Sequence, residues 1–187
     1  MDPKIRIIFY DLETTGLSPE DDTIIEIGAI DNQGNKFDKL INPNKEISSH
    51  IEKLTGITNS KLKYRNNMKQ SYNVIEEWFN FDNKNIYLIA HNGDRFDYKF
   101  LSKVFNIKHR CLDTLLLFKK LLPFRKSYSI KSLCEIYNID CSKHHRALED
   151  VIILEQLFMK AIDIYKIIFN VNNVKIEDIY NFIYRSP

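Results

Sequence analysis

An α/β fold is predicted by three features of this sequence. Short β-rich runs alternate with segments of helical period, the first three runs lie close enough to pair with one another, and a long late segment carries one apolar stripe suited to covering a sheet. From Lys4 to Asp11 the run IRIIFYD reads as a strand, and the polar LETTGLSPED that follows, with Gly16 and Pro19, reads as a loop. Thr23 to Ile30 and Lys36 to Ile41 are two more strands, joined by Asn32-Gln33-Gly34-Asn35, so the opening is expected to be an antiparallel meander. Asn42 to Leu54 is irregular or briefly helical. Ser71 to Phe81 is a helix with Val74, Ile75, Trp78 and Phe79 at helical spacing. Ile86 to Ala90 is a buried strand, Phe96 to Phe105 a helix, Arg110 to Leu112 a short strand, Thr114 to Leu122 a helix and Ser129 to Tyr137 a short helix. A long helix starts near His145 and runs to about Tyr165, its buried face marked by Ala147, Val151, Leu154, Phe158, Ala161 and Tyr165. Lys175 to Tyr184 makes a last amphipathic piece.

With 187 residues, 44% hydrophobic and 28% charged, the chain is expected to form one core, and disordered, collagenous and disulfide-scaffold classes are excluded. The net charge of +2 is too small to identify a nucleic-acid binder, so any basic surface must be local. No stretch reaches the ~18 apolar residues of a membrane span, and Met1 to Tyr10 lacks a signal-peptide apolar region, so a soluble, intracellular protein without membrane contact is expected. Cys111, Cys134 and Cys141 are odd in number and lack C-x-x-C spacing, which fits a reducing compartment.

The chemistry is carried by acids in three separate segments. Asp11 and Glu13, at i and i+2 on an extended chain, project to one side ~6 to 7 Å apart along the strand. Taken alone they could be two solvated acids of a polar loop. After the strand IYLIA comes His91-Asn92-Gly93-Asp94-Arg95-Phe96-Asp97, where Asp94 is expected to cap a helix and Asp97 to lie in its first turn. Asp150 opens the long helix beside the buried stripe, where a carboxylate without a partner is costly and a cation would remove the cost. Acids of this kind suit Mg²⁺ or Mn²⁺ rather than zinc.

At this point a resemblance becomes specific. FYDLETTGLSP resembles the first, AHNGDRFDYKFL the second, and YSIKSLCEIYNID with HHRALEDV the third motif of the DEDDh-type 3′-to-5′ exonucleases of the DnaQ-like superfamily. This group includes polymerase proofreading exonucleases and RNase T-like enzymes. LTGIT at Leu54 to Thr58 and LDT at Leu112 to Thr114 also resemble landmarks of the family, and the matches stand in order over roughly residues 5 to 160. The resemblance implies an RNase H-like fold, a five-stranded mixed β-sheet flanked by α-helices. It implies that residues 1–165 form the exonuclease domain and 166–187 a C-terminal helical extension of it. It also implies Asp11, Glu13, Asp97 and Asp150 as ligands of two divalent cations, with His145 as general base; the family pattern H-x-A-x-x-D selects His145 over His144. Asp94 is then a non-ligand and Asp113 a helix cap beside the site. Two cations would activate water, stabilise the leaving 3′-oxygen and relieve charge on the phosphate, and an imidazole of ordinary pKa ~6.5 can take the water's proton.

For the substrate, the resemblance places the backbone and hydroxyls of Thr14 and Thr15 at the terminal 3′-OH, Leu17 as a wedge beside the terminal base, and Asn92 and Phe96 along the groove. Basic residues gather at Lys61 to Arg65, Lys119-Lys120, Arg125-Lys126 and Lys143 to Arg146, interleaved with Tyr64, Phe124 and Tyr128, a mixture suited to phosphate contact and base stacking. The partner expected is the 3′ end of single-stranded DNA or RNA, with a polymerase or a homodimer as further candidates. The leading reading is a metal-dependent 3′-to-5′ exonuclease acting on single-stranded or frayed ends and releasing nucleoside 5′-monophosphates; the alternatives are a proofreading subunit whose segment from Ile164 to Pro187 binds a partner, and a non-catalytic binding module, which the presence of all five chemical positions disfavours. That segment reads equally as a packed closing helix.

Overall fold

The computed structural model describes residues 5–142 and 146–185. Five strands, β1 (Arg6–Thr14), β2 (Ile24–Asp31), β3 (Lys36–Leu40), β4 (Ile86–Ala90) and β5 (Arg110–Asp113), form one sheet in the order β3-β2-β1-β4-β5. The β1/β2 and β2/β3 pairs are antiparallel, whereas β1/β4 and β4/β5 are parallel. The sheet is therefore mixed, as the motifs imply, and β1 lies at its centre. Eight helices among the described residues complete the fold: α1 (Ser49–Thr55), α2 (Asn59–Leu62), α3 (Met68–Phe79), α4 (Asp97–Ser102), α5 (Thr114–Leu121), α6 (Ile130–Tyr137), α7 (Ala147–Phe169) and α8 (Ile176–Tyr184). The short α2, just after LTGIT, has no apolar period long enough to announce it.

Alternation along β1 sorts its side chains between two cores. Ile7 and Phe9 pack with α5, α6, α7 and α8, whereas Ile8, Tyr10 and Leu12 pack with α3 and α4. Asp11 and Glu13 continue the first series beyond its apolar part and so emerge on the α7 side. The predicted stripe of α7 is buried from Ala147 to Ala161, with Tyr165 half-buried at its end. In α3 the stripe is narrower than the spacing suggests: Ile75 and Phe79 are buried, Trp78 is half-buried, and Val74 points outward. Helix α8 is held by the same apolar cluster as α7 through Ile176, Ile179 and Ile183. Its Glu177 bonds to Arg110 and Tyr87, next to one another on β5 and β4. No helix is long and apolar enough to cross a membrane among the described residues.

Candidate active site

Near the C-terminal end of β1 its register with β2 shifts by one residue, Glu13 facing Glu26 and Thr14 facing Ile24, with Ile25 of β2 the extra residue. β1 ends at Thr14, so the Asp11 and Glu13 side chains stand at the sheet's rim. Asp150, in the first turn of α7, meets them there: one ligand atom from each of Asp11, Glu13 and Asp150 lies within 4.8 Å of the others. Asp97 is not part of this close group. It opens α4 on the opposite side of the sheet and is 3% exposed. Its Oδ1 is buried with no hydrogen-bond partner.

Electrostatics mark these acids as a set. Burial, then the charges of Asp97, Asp150, Glu13 and Glu26, push Asp11 well above the usual carboxylate range. Glu13 is raised to about 8, first by burial and then by Asp150, Glu26 and Asp97, with Arg146 opposing. Asp97 is raised to about 7, chiefly by burial. Holding several carboxylates together in this way is costly without positive charge. The donor set is all oxygen and one buried carboxylate oxygen is orphaned, so the residues present fit a hard divalent cation.

The loop after Glu13 is closed around Asp22. The Thr15 hydroxyl and the backbone N–H of Ser18 both donate to the Asp22 carboxylate, at 2.8 and 3.1 Å. Thr14 is buried and its hydroxyl donates to the Gly16 carbonyl at 2.5 Å. Both hydroxyls expected at a strand terminus are thus engaged within the loop. Leu17, 83% exposed, stands out from it with no core contact to explain an apolar residue. In the second motif Asn92 takes a left-handed conformation (φ 63°), and its N–H donates to the Asp113 carboxylate at 2.8 Å. Phe96 is half-buried and packs on Phe100, with ring centroids 5.0 Å apart.

Two local expectations are corrected. Asp94 does not cap α4, whose N-cap is Phe96 without a side-chain bond. Asp94 instead accepts from the Tyr184 hydroxyl of α8 at 2.9 Å, and that hydroxyl in turn receives the Asp113 N–H. Asp113 does cap α5, accepting from the N–H of Leu115 at 2.8 Å. The second correction concerns Arg146. Its guanidinium is bound to Glu26 on β2, Nη2 to Oε1 at 2.6 Å and Nε to Oε1 at 3.0 Å, so only its outer edge is open to a phosphate. This bond holds Arg146 above its ordinary pKa. His144 and His145 lie outside the described residues.

Sequence reasoning missed Glu26. It is 0% exposed and sits directly opposite Glu13 in the β1/β2 register, one strand away from the acid cluster. The one available signal was a charged residue inside the apolar run TIIEIGAI. Beyond it, at the β3 edge, Asp38, Leu40, Tyr64, Arg65 and Arg146 line a groove of about 530 Å³.

The RNase T exonuclease family matches residues 8–158, a span that holds all four acids. DNA polymerase III PolC-type from Thermotoga maritima is 37% identical over 169 residues, covering 85% of this chain and 12% of the relative. DNA polymerase III subunit epsilon from Aquifex aeolicus is 31% identical over 166 residues, covering 83% of this chain and 80% of the relative. The chain thus spans about an eighth of its PolC-type relatives. Among solved structures, exonuclease X in complex with 5′-overhanging duplex DNA superposes with a TM-score of 0.71 at 21% identity, covering 95% of this chain and 99% of that one. Exonuclease I superposes with a TM-score of 0.74 at 17% identity, covering 96% of this chain and 43% of that one. At those identities the likeness is one of fold, and it agrees with the RNase H-like architecture implied by the motifs. The extent of the family match, together with the epsilon relative that this chain nearly spans, settles membership: the chain belongs to the RNase T exonuclease family.

Proposed function

We propose that the protein hydrolyses nucleic acid from the 3′ end, acting on single-stranded or frayed strands and releasing nucleoside 5′-monophosphates. The observation that carries this reading is the meeting of Asp11, Glu13 and Asp150 within 4.8 Å, on two elements far apart in sequence and at the rim of an exonuclease fold. Asp11, Glu13 and Asp150 would hold two divalent cations, Mg²⁺ or Mn²⁺, and Asp97 would complete the set through its orphaned Oδ1. Such cations supply charge relief at the scissile phosphate and at the leaving oxygen, and make water acidic enough to deprotonate. His145, five residues before Asp150, removes the proton from the attacking water.

The remaining residues present the strand. Leu17 inserts beside the terminal base, and Phe96 and Asn92 line the groove on the α4 side. The backbone and hydroxyl oxygens of Thr14 and Thr15 meet the terminal 3′-OH; both hydroxyl protons are spent within the loop, which leaves these oxygens to accept. Upstream nucleotides run towards the β3 edge, where the exposed Tyr64 offers a stacking face and Arg65 a positive charge. Unstacking and unpairing a terminal base costs a few kcal/mol in a duplex and less in a flexible strand, so single strands are preferred. A polymerase is the partner favoured by the relatives, which carry the name DNA polymerase III. Residues 1–165 make up the catalytic domain, and 166–187 extend it, with α8 joined to the second motif through Tyr184 and Asp94.

The test uses end-labelled DNA and RNA strands of matched sequence, each as a 3′-OH strand, a 3′-phosphate strand and a circle, with Mg²⁺ or Mn²⁺. Stepwise shortening from the 3′-OH end to mononucleotides is expected. Cleavage of the circle at an equal rate would mean an endonuclease and defeat the reading. Leu17→Ala is expected to slow the use of ends more than it weakens strand affinity, since phosphate contacts supply most of the latter.

A further inference from the structure

Glu26 lies on β2, the middle strand of the meander, fully buried, and a carboxylate in such a place demands a structural reason. Four contacts satisfy it: Arg146 Nη2 at 2.6 Å and Nε at 3.0 Å on Oε1, Nε again at 3.3 Å on Oε2, and the backbone N–H of Ala147 at 2.9 Å on Oε2. Ala147 is the first residue of α7, and the helix's own N-cap, Arg146, makes no side-chain cap. The cap is therefore supplied from the sheet. Gly28, on the same face of β2 two residues along, has no room for a side chain. A Cβ there would fall 2.3 Å from the backbone of Ala147 and of Leu148. The first turn of α7 is thus fixed on β2 by a charged fork at one point and by backbone contact at another.

That same turn carries Asp150, whose N–H bonds to the Arg146 carbonyl at 3.0 Å and whose carboxylate faces those of Asp11 and Glu13. Crowding carboxylates against one another in this way is costly, so the approach of this turn to β1 needs support from elsewhere. We propose that Glu26 and Arg146 are positioning residues that clamp the start of α7, so that the Asp150 carboxylate is held at the cation site before any cation arrives. Charge-assisted, forked bonds of this kind fix direction as well as distance. The clamp rests on the reading of Asp11, Glu13 and Asp150 as cation ligands, and adds that their geometry depends on a pair that is not among those ligands.

The test measures Mn²⁺ binding by calorimetry and by the Mn²⁺ resonance signal, without substrate, for the wild type, Glu26→Gln, Arg146→Lys, Arg146→Gln and the double Glu26→Gln/Arg146→Gln. Circular dichroism and thermal melts identify the folded variants. Glu26→Gln and Arg146→Gln are expected to weaken Mn²⁺ binding about tenfold or more and to lower kcat at limiting Mn²⁺. KM for the strand should stay within about twofold. Arg146→Lys, which keeps the charge but not the fork, should recover part of the loss, and should carry the test if Glu26→Gln does not fold. The double variant should be no worse than the poorer single one, as for two residues acting as one unit. Unchanged Mn²⁺ affinity in folded Glu26→Gln or Arg146→Gln would overturn the clamp. So would a raised KM in Arg146→Gln with Mn²⁺ affinity intact, which would make Arg146 a strand contact. Absence of Mn²⁺ binding in the wild type would instead defeat the cation site itself.

Discussion

Replacing Gly28 by alanine tests how closely catalysis depends on the seat of α7. The added Cβ would lie 2.3 Å from the backbone carbon of Ala147 and the backbone nitrogen of Leu148, where ordinary contact begins at 3.4 Å. The obstructing atoms are backbone, so no side chain can swing aside, and the first turn of α7 must retreat by about 1 Å. Overpacking of this kind costs ~1 to 3 kcal/mol, which for a chain of this length corresponds to a fall of roughly 3 to 10 °C in Tm. The consequence for chemistry is larger, because Asp150 moves with the turn. A misplacement of ~1 Å at a reacting centre can cost ~10²-fold in rate. Gly28→Ala should therefore melt at a lower temperature yet be fully folded at 25 °C, with kcat on a labelled single strand reduced about 10²-fold. A folded variant with kcat within twofold of the wild type would refute the argument that α7 is seated by this contact.

Asp11→Asn, Glu13→Gln, Asp97→Asn and Asp150→Asn should each remove most turnover while the fold persists, and activity should vanish on chelation; robust cleavage in excess EDTA would contradict the cation site. His145→Ala should lower the rate by ~10² to 10⁴, the usual share of a general base, and His144→Ala should change it little; the reverse pattern would show the third motif to be misregistered. His91 supplies a pH prediction. Burial lowers it to about 4 from the usual 6.5, and it bonds through Nε2 to the Tyr128 carbonyl at 2.8 Å and through Nδ1 to Thr114 at 2.9 Å. Between those two values the unfolded chain binds the proton and the folded one does not, so stability is complete above pH 6.5 and declines as pH falls towards 4. The loss attributable to His91 is of order 3 kcal/mol. The difference in Tm between the wild type and His91→Gln should thus shrink or reverse from pH 7 to pH 4.5, and a difference independent of pH would show that His91 is not held neutral.

What could be read in the sequence was whatever chain neighbours decide among themselves. A period of two made β1 a strand and put Asp11 and Glu13 on one side of it, and a period near 3.6 drew the buried stripe of α7 and set Asp150 at its border. Three motifs in order then implied the family, its mixed sheet and the four acids. Tertiary structure decided what those acids stand among. Glu26 looked like one polar residue in an apolar strand, because its partner Arg146 lies 120 residues away and meets it only when α7 packs across β2. For the same reason Asp94 read as a cap until α8 brought Tyr184 to it, and the bonds from Thr14 to Gly16 and from Thr15 to Asp22 follow from how the loop closes, which no chain period announces. Periodicity reports which face of its own element a residue occupies. The identity of the group on the facing element, and so whether a charge is free, paired or spent on holding a helix, depends on contacts between distant segments that exist only in the folded chain.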